Sequence, residues 1–159
     1  MAQEVETTSV STSAPAPGLT LFQGFHRLKL EATGRIALPS AYKGAFGPKA
    51  FIRAHRDQML MLWTPEAFET VVAAARADDS GVLGPRRVKR LRISTSEVAV
   101  DKQGRFVVPA ELKAHVGLGE QIVLAGAGEA IEIYSSEAFA IEAQSFDEND
   151  LFFDGYEGE

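Results

Sequence analysis

The alternation of apolar and polar positions between residues 21 and 143 predicts short strands and short helices. "FHRLKL" (25–30) and "EVAV" (97–100) have the length and alternation of half-buried strands. "RIALP" (35–39) and "RFVVP" (105–109) resume a strand after a turn. Pro39 and Pro109 then suit the first position of helices over "SAYKGAF" and "AELKAHV", the second closing on Gly117. "AFIRA" with "MLMLW", and "QIVLAG" with "AIEIY", read as hairpin pairs around the turn-like "HRDQ" and "AGE". Thr64, and either Ser135 or Ser136, stand where a side-chain oxygen caps a final helix, with Glu66 and Glu137 in its first turn. The pattern strand, turn, strand, helix, strand, strand, helix therefore occurs twice.

The repetition extends to the residues themselves. "LEATGRIALPSAY" (30–42) and "VDKQGRFVVPAEL" (100–112) share acid-x-x-Gly-Arg-x-x-x-Pro at an offset of 70. Further on, Trp63 and Glu66-Ala67-Phe68 match Tyr134 and Glu137-Ala138-Phe139 at an offset of 71. This is an internal duplication, and it is architecture first. One unit is too small to bury much alone, so two units are expected to pack about a pseudo-twofold axis and share one core. The expected division is an arm over 1–20, a first unit over 21–80, a connecting helix over 81–95, a second unit over 96–143 and a tail over 144–159. The arm is rich in Ser, Thr, Ala and Pro and is expected to be disordered. For the acidic tail two readings stand, a loose segment or a short docked one using Leu151, Phe152 and Phe153.

Charge sharpens this picture. The whole chain has a net charge of −6, yet all 16 Lys and Arg fall between residues 21 and 136, a stretch with only 12 acids and a net of +4. An acidic C-terminus masks a mildly basic body, and a polyanion responds to the local field, screened beyond about 10 Å. Arg86, Arg87, Lys89, Arg90 and Arg92 cluster in the connecting helix, where Val88 and Leu91 give an apolar stripe starting from Pro85. That face is either solvated or a contact for a DNA backbone or a subunit.

The duplicated turn carries the candidate chemistry. Asp101 at the start of a tight turn accepts bonds from following amides, and Gly104 supplies the positive φ that closes it. Glu31 and Gly34 hold the same places in the first copy. Folding thus accounts for acid, glycine and proline, and leaves Arg35 and Arg105. Each arginine either staples its loop to the acid or presents a guanidinium for bidentate contact with phosphate or a guanine edge. Lys102 and Gln103 add a cation and an amide in the second loop, while Thr33 and Lys29 are the further candidates near the first.

With these residues in view, "LFQGFHRLKLEATGRIALP" resembles the opening of the MraZ family of bacterial transcriptional regulators, encoded at the head of the division and cell-wall gene cluster. Phe22, Gly24, Glu31, Gly34, Arg35 and Pro39 fit its first block, and Asp101, Gly104, Arg105 and Pro109 its second. The resemblance spans residues 21 to about 143. It implies an α+β, mainly β fold: two tandem pseudo-symmetric swapped-hairpin units of the AbrB type forming one compact, double-ψ-like core. It also implies a ring-like homo-oligomer, binding to direct repeats in promoter duplex DNA, and DNA contacts carried by the acid-x-x-Gly-Arg loops. Glu31 stands where the family usually has Asp, and Thr33 and Gln103 where Lys commonly precedes Gly-Arg.

Other classes find little support in the sequence. His26, His55 and His115 sit in unrelated segments without metal-ligand spacing, and the chain has no cysteine. Gly126 and Gly128 mark a hairpin turn and lack the third glycine of a dinucleotide loop. Met59, Met61 and Trp63 read as strand core. No enzyme, metal, cofactor, small-molecule substrate or membrane span is expected, and no secretory leader is apparent, so a cytoplasmic, nucleoid-associated protein is the expectation. The competing reading is an antitoxin-like or assembly protein, although such antitoxins generally carry one hairpin unit per chain.

Overall fold

The computed structural model describes residues 19–56, 58–78 and 83–149. Most of the 1–20 arm, and Leu151, Phe152 and Phe153 of the tail, lie outside the described residues. The first copy comprises β1 (Phe25–Lys29), β2 (Arg35–Ala37), α1 (Ser40–Lys43), β3 (Lys49–His55), β4 (Met59–Trp63) and α2 (Pro65–Asp78). Helix α3 (Leu83–Ile93) follows. The second copy comprises β5 (Ser96–Ala99), β6 (Arg105–Val107), α4 (Ala110–His115), β7 (Gln121–Gly126), β8 (Ile131–Ser135) and α5 (Ser136–Asn149). The chain is α+β, dominated by antiparallel sheet.

Six strands form one antiparallel sheet in the order β1-β7-β8-β4-β3-β5, and β2 pairs with β6 as a separate two-stranded ribbon. The order is unchanged when the two copies are exchanged. Each copy's β-hairpin sits centrally, and each copy's first strand crosses over: β1 pairs with β7, and β5 with β3. At the centre Leu60 faces Ile133 and Leu62 faces Ile131, about the middle pair Met61–Glu132.

Three layers result. On one sheet face, Leu60, Leu62, Ile131 and Ile133 pack with Ile36 and Phe106 of the ribbon and with Tyr42, Val116 and Leu118 around the short helices. On the other face Trp63, Phe68 and Val72 form a cluster that Val88 and Leu91 of α3 cover. Met59, Val123, Tyr134 and Phe139 form a third cluster under α5. Strand β4 is buried on both faces, which explains why "MLMLW" is continuously apolar rather than alternating.

The caps match the sequence: Thr64 Oγ1 accepts from Ala67 N at 3.2 Å, and Ser135 Oγ from Ala138 N at 3.0 Å. The prolines differ. Pro39 and Pro109 are N-caps rather than first helical residues, because their ψ of 152° and 136° is extended. Their fixed φ suits either place, and their carbonyls accept the first helical amides, from Tyr42 and Lys113. Helix α1 stops at Lys43, short of Phe46, and α3 begins at Leu83, two residues before Pro85. Helix α5 runs to Asn149, past the expected unit boundary at 143. Gly117, with φ of 69°, follows α4 in the left-handed conformation that closes a helix.

Candidate nucleic-acid interface

The two repeated loops enter the ribbon from opposite ends. In the second, Gly104 N donates to Asp101 O at 2.9 Å and Asp101 N to Arg105 O at 3.0 Å, with Gly104 at φ 81°. In the first, Gly34 N donates to Glu31 O at 2.8 Å, with Gly34 at φ 86°. The loops then bond to the opposite copy: Leu38 N donates to Gly104 O and Val108 N to Gly34 O, both at 2.9 Å.

The ribbon register fixes where the arginines stand. Arg35 pairs with Val107, Ile36 with Phe106, and Ala37 with Arg105. Paired residues share a face and neighbours alternate. Ile36 and Phe106 therefore turn inward, 1% and 2% exposed, while Arg35, Ala37, Arg105 and Val107 form the outward face. Arg35 and Arg105 are diagonal neighbours on it, about 7–8 Å apart at Cα by strand geometry. Both line one shallow surface depression together with Asp101, Phe106 and Val107.

Each arginine is held by its acid. Arg105 Nε donates to Asp101 Oδ2 at 2.8 Å, and Arg35 Nε to Glu31 Oε1 at 3.0 Å. Asp101 Oδ1 also accepts the backbone N–H groups of Gln103 and Arg105, each at 2.9 Å. The Glu31 carboxylate, one methylene further out, makes only the arginine bond among the described residues. The Arg105 backbone N–H, then the Arg105 guanidinium and the Gln103 N–H, hold the Asp101 carboxyl below its ordinary pKa. Stapling and presentation coexist here. The acid takes Nε and orients the guanidinium, leaving its terminal nitrogens without a partner among the described residues.

The other sequence candidates separate. Lys102, Gln103 and Thr33 are exposed on the loops. Lys29 instead lies on β1 in the six-stranded sheet and pairs with Glu120 at 3.1 Å. On α3, Arg92 is committed to Glu69 at 3.0 Å and lies over the Phe68 ring. Lys43 and Lys113, outside the loop motif, do reach the loops. Lys43 packs across Gly104, where a Cβ would stand 2.8 Å from its own Cβ. Lys113 lines a cavity with Glu31 and Ala32. Both occupy the fourth position after the repeated proline, a match visible at the same offset of 70.

Among the described residues no cluster of three or more His, Asp or Glu could hold a metal ion, and no helix is long and apolar enough to cross a membrane. The His26 ring packs edge-on against Tyr42, and His115 Nε2 lies 2.8 Å from Arg56 O.

Fold and site define a class: a duplicated α+β protein whose copies exchange strands in one sheet and expose an arginine pair on a two-stranded ribbon. Comparison with known proteins agrees with a particular family. Residues 93–154 match the family model described as "MraZ protein, putative antitoxin-like". The chain is 30% identical over 135 residues to the "Transcriptional regulator MraZ" of Lachnoclostridium phytofermentans, covering 84% of this chain and 94% of that protein. It is 26% identical over 133 residues to the protein of the same description from Leuconostoc citreum, covering 80% and 93%. The counterpart from Solidesulfovibrio magneticus is 30% identical over 125 residues, covering 75% and 82%. The chain belongs to the MraZ family.

Proposed function

We propose that this protein is a DNA-binding transcriptional regulator that reads promoter duplex with its β2–β6 ribbon. The observation that supports this most is the shared outward face of Arg35 and Arg105, backed by the buried Ile36–Phe106 pair. A two-stranded ribbon fits the major groove, about 12 Å wide, and guanidinium edges make bidentate bonds to guanine O6 and N7 there. Asp101 and Glu31 act as positioning residues that fix each guanidinium before DNA arrives, which lowers the ordering cost of binding. Lys102, Gln103 and Thr33 extend the contact along the loops. The names of the relatives agree with a regulator of transcription.

The crossed strand pairing favours reading the copies, residues 21–80 and 96–143, as AbrB-type swapped-hairpin units around a double-ψ-like core. Family membership favours a ring-like homo-oligomer, in which successive subunits would meet successive direct repeats. In that geometry each ribbon contributes few base contacts, and specificity accumulates over repeats.

The test is binding of fluorescent duplex from the chain's own upstream region, against a shuffled duplex of equal composition. For the double variant Arg35→Ala/Arg105→Ala the expected result is loss of at least ten-fold in the ratio of specific to shuffled affinity, since each good base contact discriminates by about 1–3 kcal/mol. An unchanged ratio with altered oligomer size would assign the arginines to assembly and refute the reading.

A further inference from the structure

The ribbon explains base contact but leaves open what grips the groove walls. Two lysines related by the duplication stand beside the loops in a crossed arrangement. Lys43 of α1, first copy, lies across Gly104 of the second-copy loop and lines a cavity with Asp101 and Lys102. Lys113 of α4, second copy, lines the matching cavity with Leu30, Glu31 and Ala32 of the first-copy loop and Glu120 of its own copy. The acids in these cavities are already engaged: Asp101 by Arg105, Glu31 by Arg35, Glu120 by Lys29. Neither lysine ammonium has an ion-pair or hydrogen-bond partner among the described residues.

We infer that Lys43 and Lys113 are the phosphate-contacting residues of the interface, each completing the half-reader that the other copy's loop begins. This rests on the DNA reading of the ribbon. The chemistry favours phosphate over base: an ammonium on a flexible four-carbon stem is a compact point charge rather than a planar fork. The symmetry agrees as well. A ribbon with a pseudo-twofold through Ile36–Phe106 suits the local dyad of a duplex, and a pair of cations flanking it meets opposite strands. The two halves are unequal in a way that gives Lys113 the greater weight. The second loop carries Lys102 beside Lys43, whereas the first has Ala32 at the corresponding place. Among the described residues Lys113 is the one cation lining the first cavity, and it supplies the charge that this loop lacks.

The substitutions Lys43→Gln and Lys113→Gln keep most of each stem, so packing on Gly104 is retained, and thermal melts check that the fold survives. Binding to the upstream and shuffled duplexes is measured from 50 to 300 mM KCl, with Arg35→Ala/Arg105→Ala alongside. Phosphate contact predicts that the plot of log K against log salt becomes shallower by about 0.9 for Lys113→Gln. Lys43→Gln is affected less, because Lys102 remains in the same cavity. The specific-to-shuffled ratio stays constant for both, since phosphates carry no sequence information, and Lys113→Arg restores the slope. An unchanged slope in Lys113→Gln, with discrimination still lost in the arginine variant, overturns this inference and leaves the ribbon reading intact. Unchanged discrimination in the arginine variant overturns the ribbon reading itself.

Discussion

At the scale of single residues, the acids that open the two loops differ by one methylene, and that difference is measurable. The Asp101 carboxylate accepts three bonds where the Glu31 carboxylate accepts one. Glu31→Asp brings the carboxylate within reach of the same backbone amides and should stabilise the protein by about 0.5–1.5 kcal/mol, a typical net value per hydrogen bond. A melting temperature that stays the same or falls would show that the first loop has no room for the tighter cap. Because the folded state favours the Asp101 carboxylate, the loop is held above the ordinary carboxylate range and released only as pH falls through the lowered pKa. In an NMR titration the Gln103 and Arg105 amide shifts should therefore move with a midpoint below about 3.9, the ordinary aspartate value. Gly104→Ala forces a left-handed backbone on alanine and drives its Cβ to 2.8 Å from that of Lys43, at a cost of about 1–3 kcal/mol from the backbone alone. A chemical denaturation curve unchanged by that substitution would contradict the loop geometry. Acid, glycine and arginine were legible here because each has a local job that a five-residue pattern states. Lys29 was not: its neighbour Glu120 is brought beside it only by the β1–β7 pairing, which no local pattern encodes.

At the scale of elements, strands and long helices follow from periodicity, while their ends follow from tertiary contacts. The N-caps were readable because a cap is a local hydrogen bond. Thr64→Ala and Ser135→Ala should each cost about 0.5–2 kcal/mol, read as a lower denaturant midpoint with unchanged slope. The two copies give matching losses if α2 and α5 carry equal weight. The extent of α1 was not readable, since "SAYKGAF" has helical spacing but Phe46 is drawn away to stack on Phe22 at 5.8 Å. In helix α3 the apolar stripe of Val88 and Leu91 was readable and packs as expected, whereas the commitment of Arg92 to Glu69, 23 residues away, was not.

At the scale of the molecule, the duplication announced two units, and the pairing makes them inseparable. Every strand at the sheet edges belongs to one copy and bonds to the other, and the ribbon takes one strand from each. Calorimetry should therefore show one cooperative unfolding transition rather than two. Phe106→Ala, at a cost of about 3–5 kcal/mol, should lower the protection of first-copy amides as much as second-copy ones in hydrogen exchange. Loss confined to the second copy would argue against a shared core. The shared core is also what sets Arg35 and Arg105 on one face, because neither loop alone contains the ribbon. Photo-crosslinking tests that claim most directly. Benzoylphenylalanine placed at Val107, on the ribbon face and 50% exposed, and in separate proteins at Ile93 or Ile141, is irradiated with bound upstream duplex. A ribbon that enters the groove gives DNA adducts from position 107 and none from 93 or 141; adducts from 93 or 141 with none from 107 would contradict it.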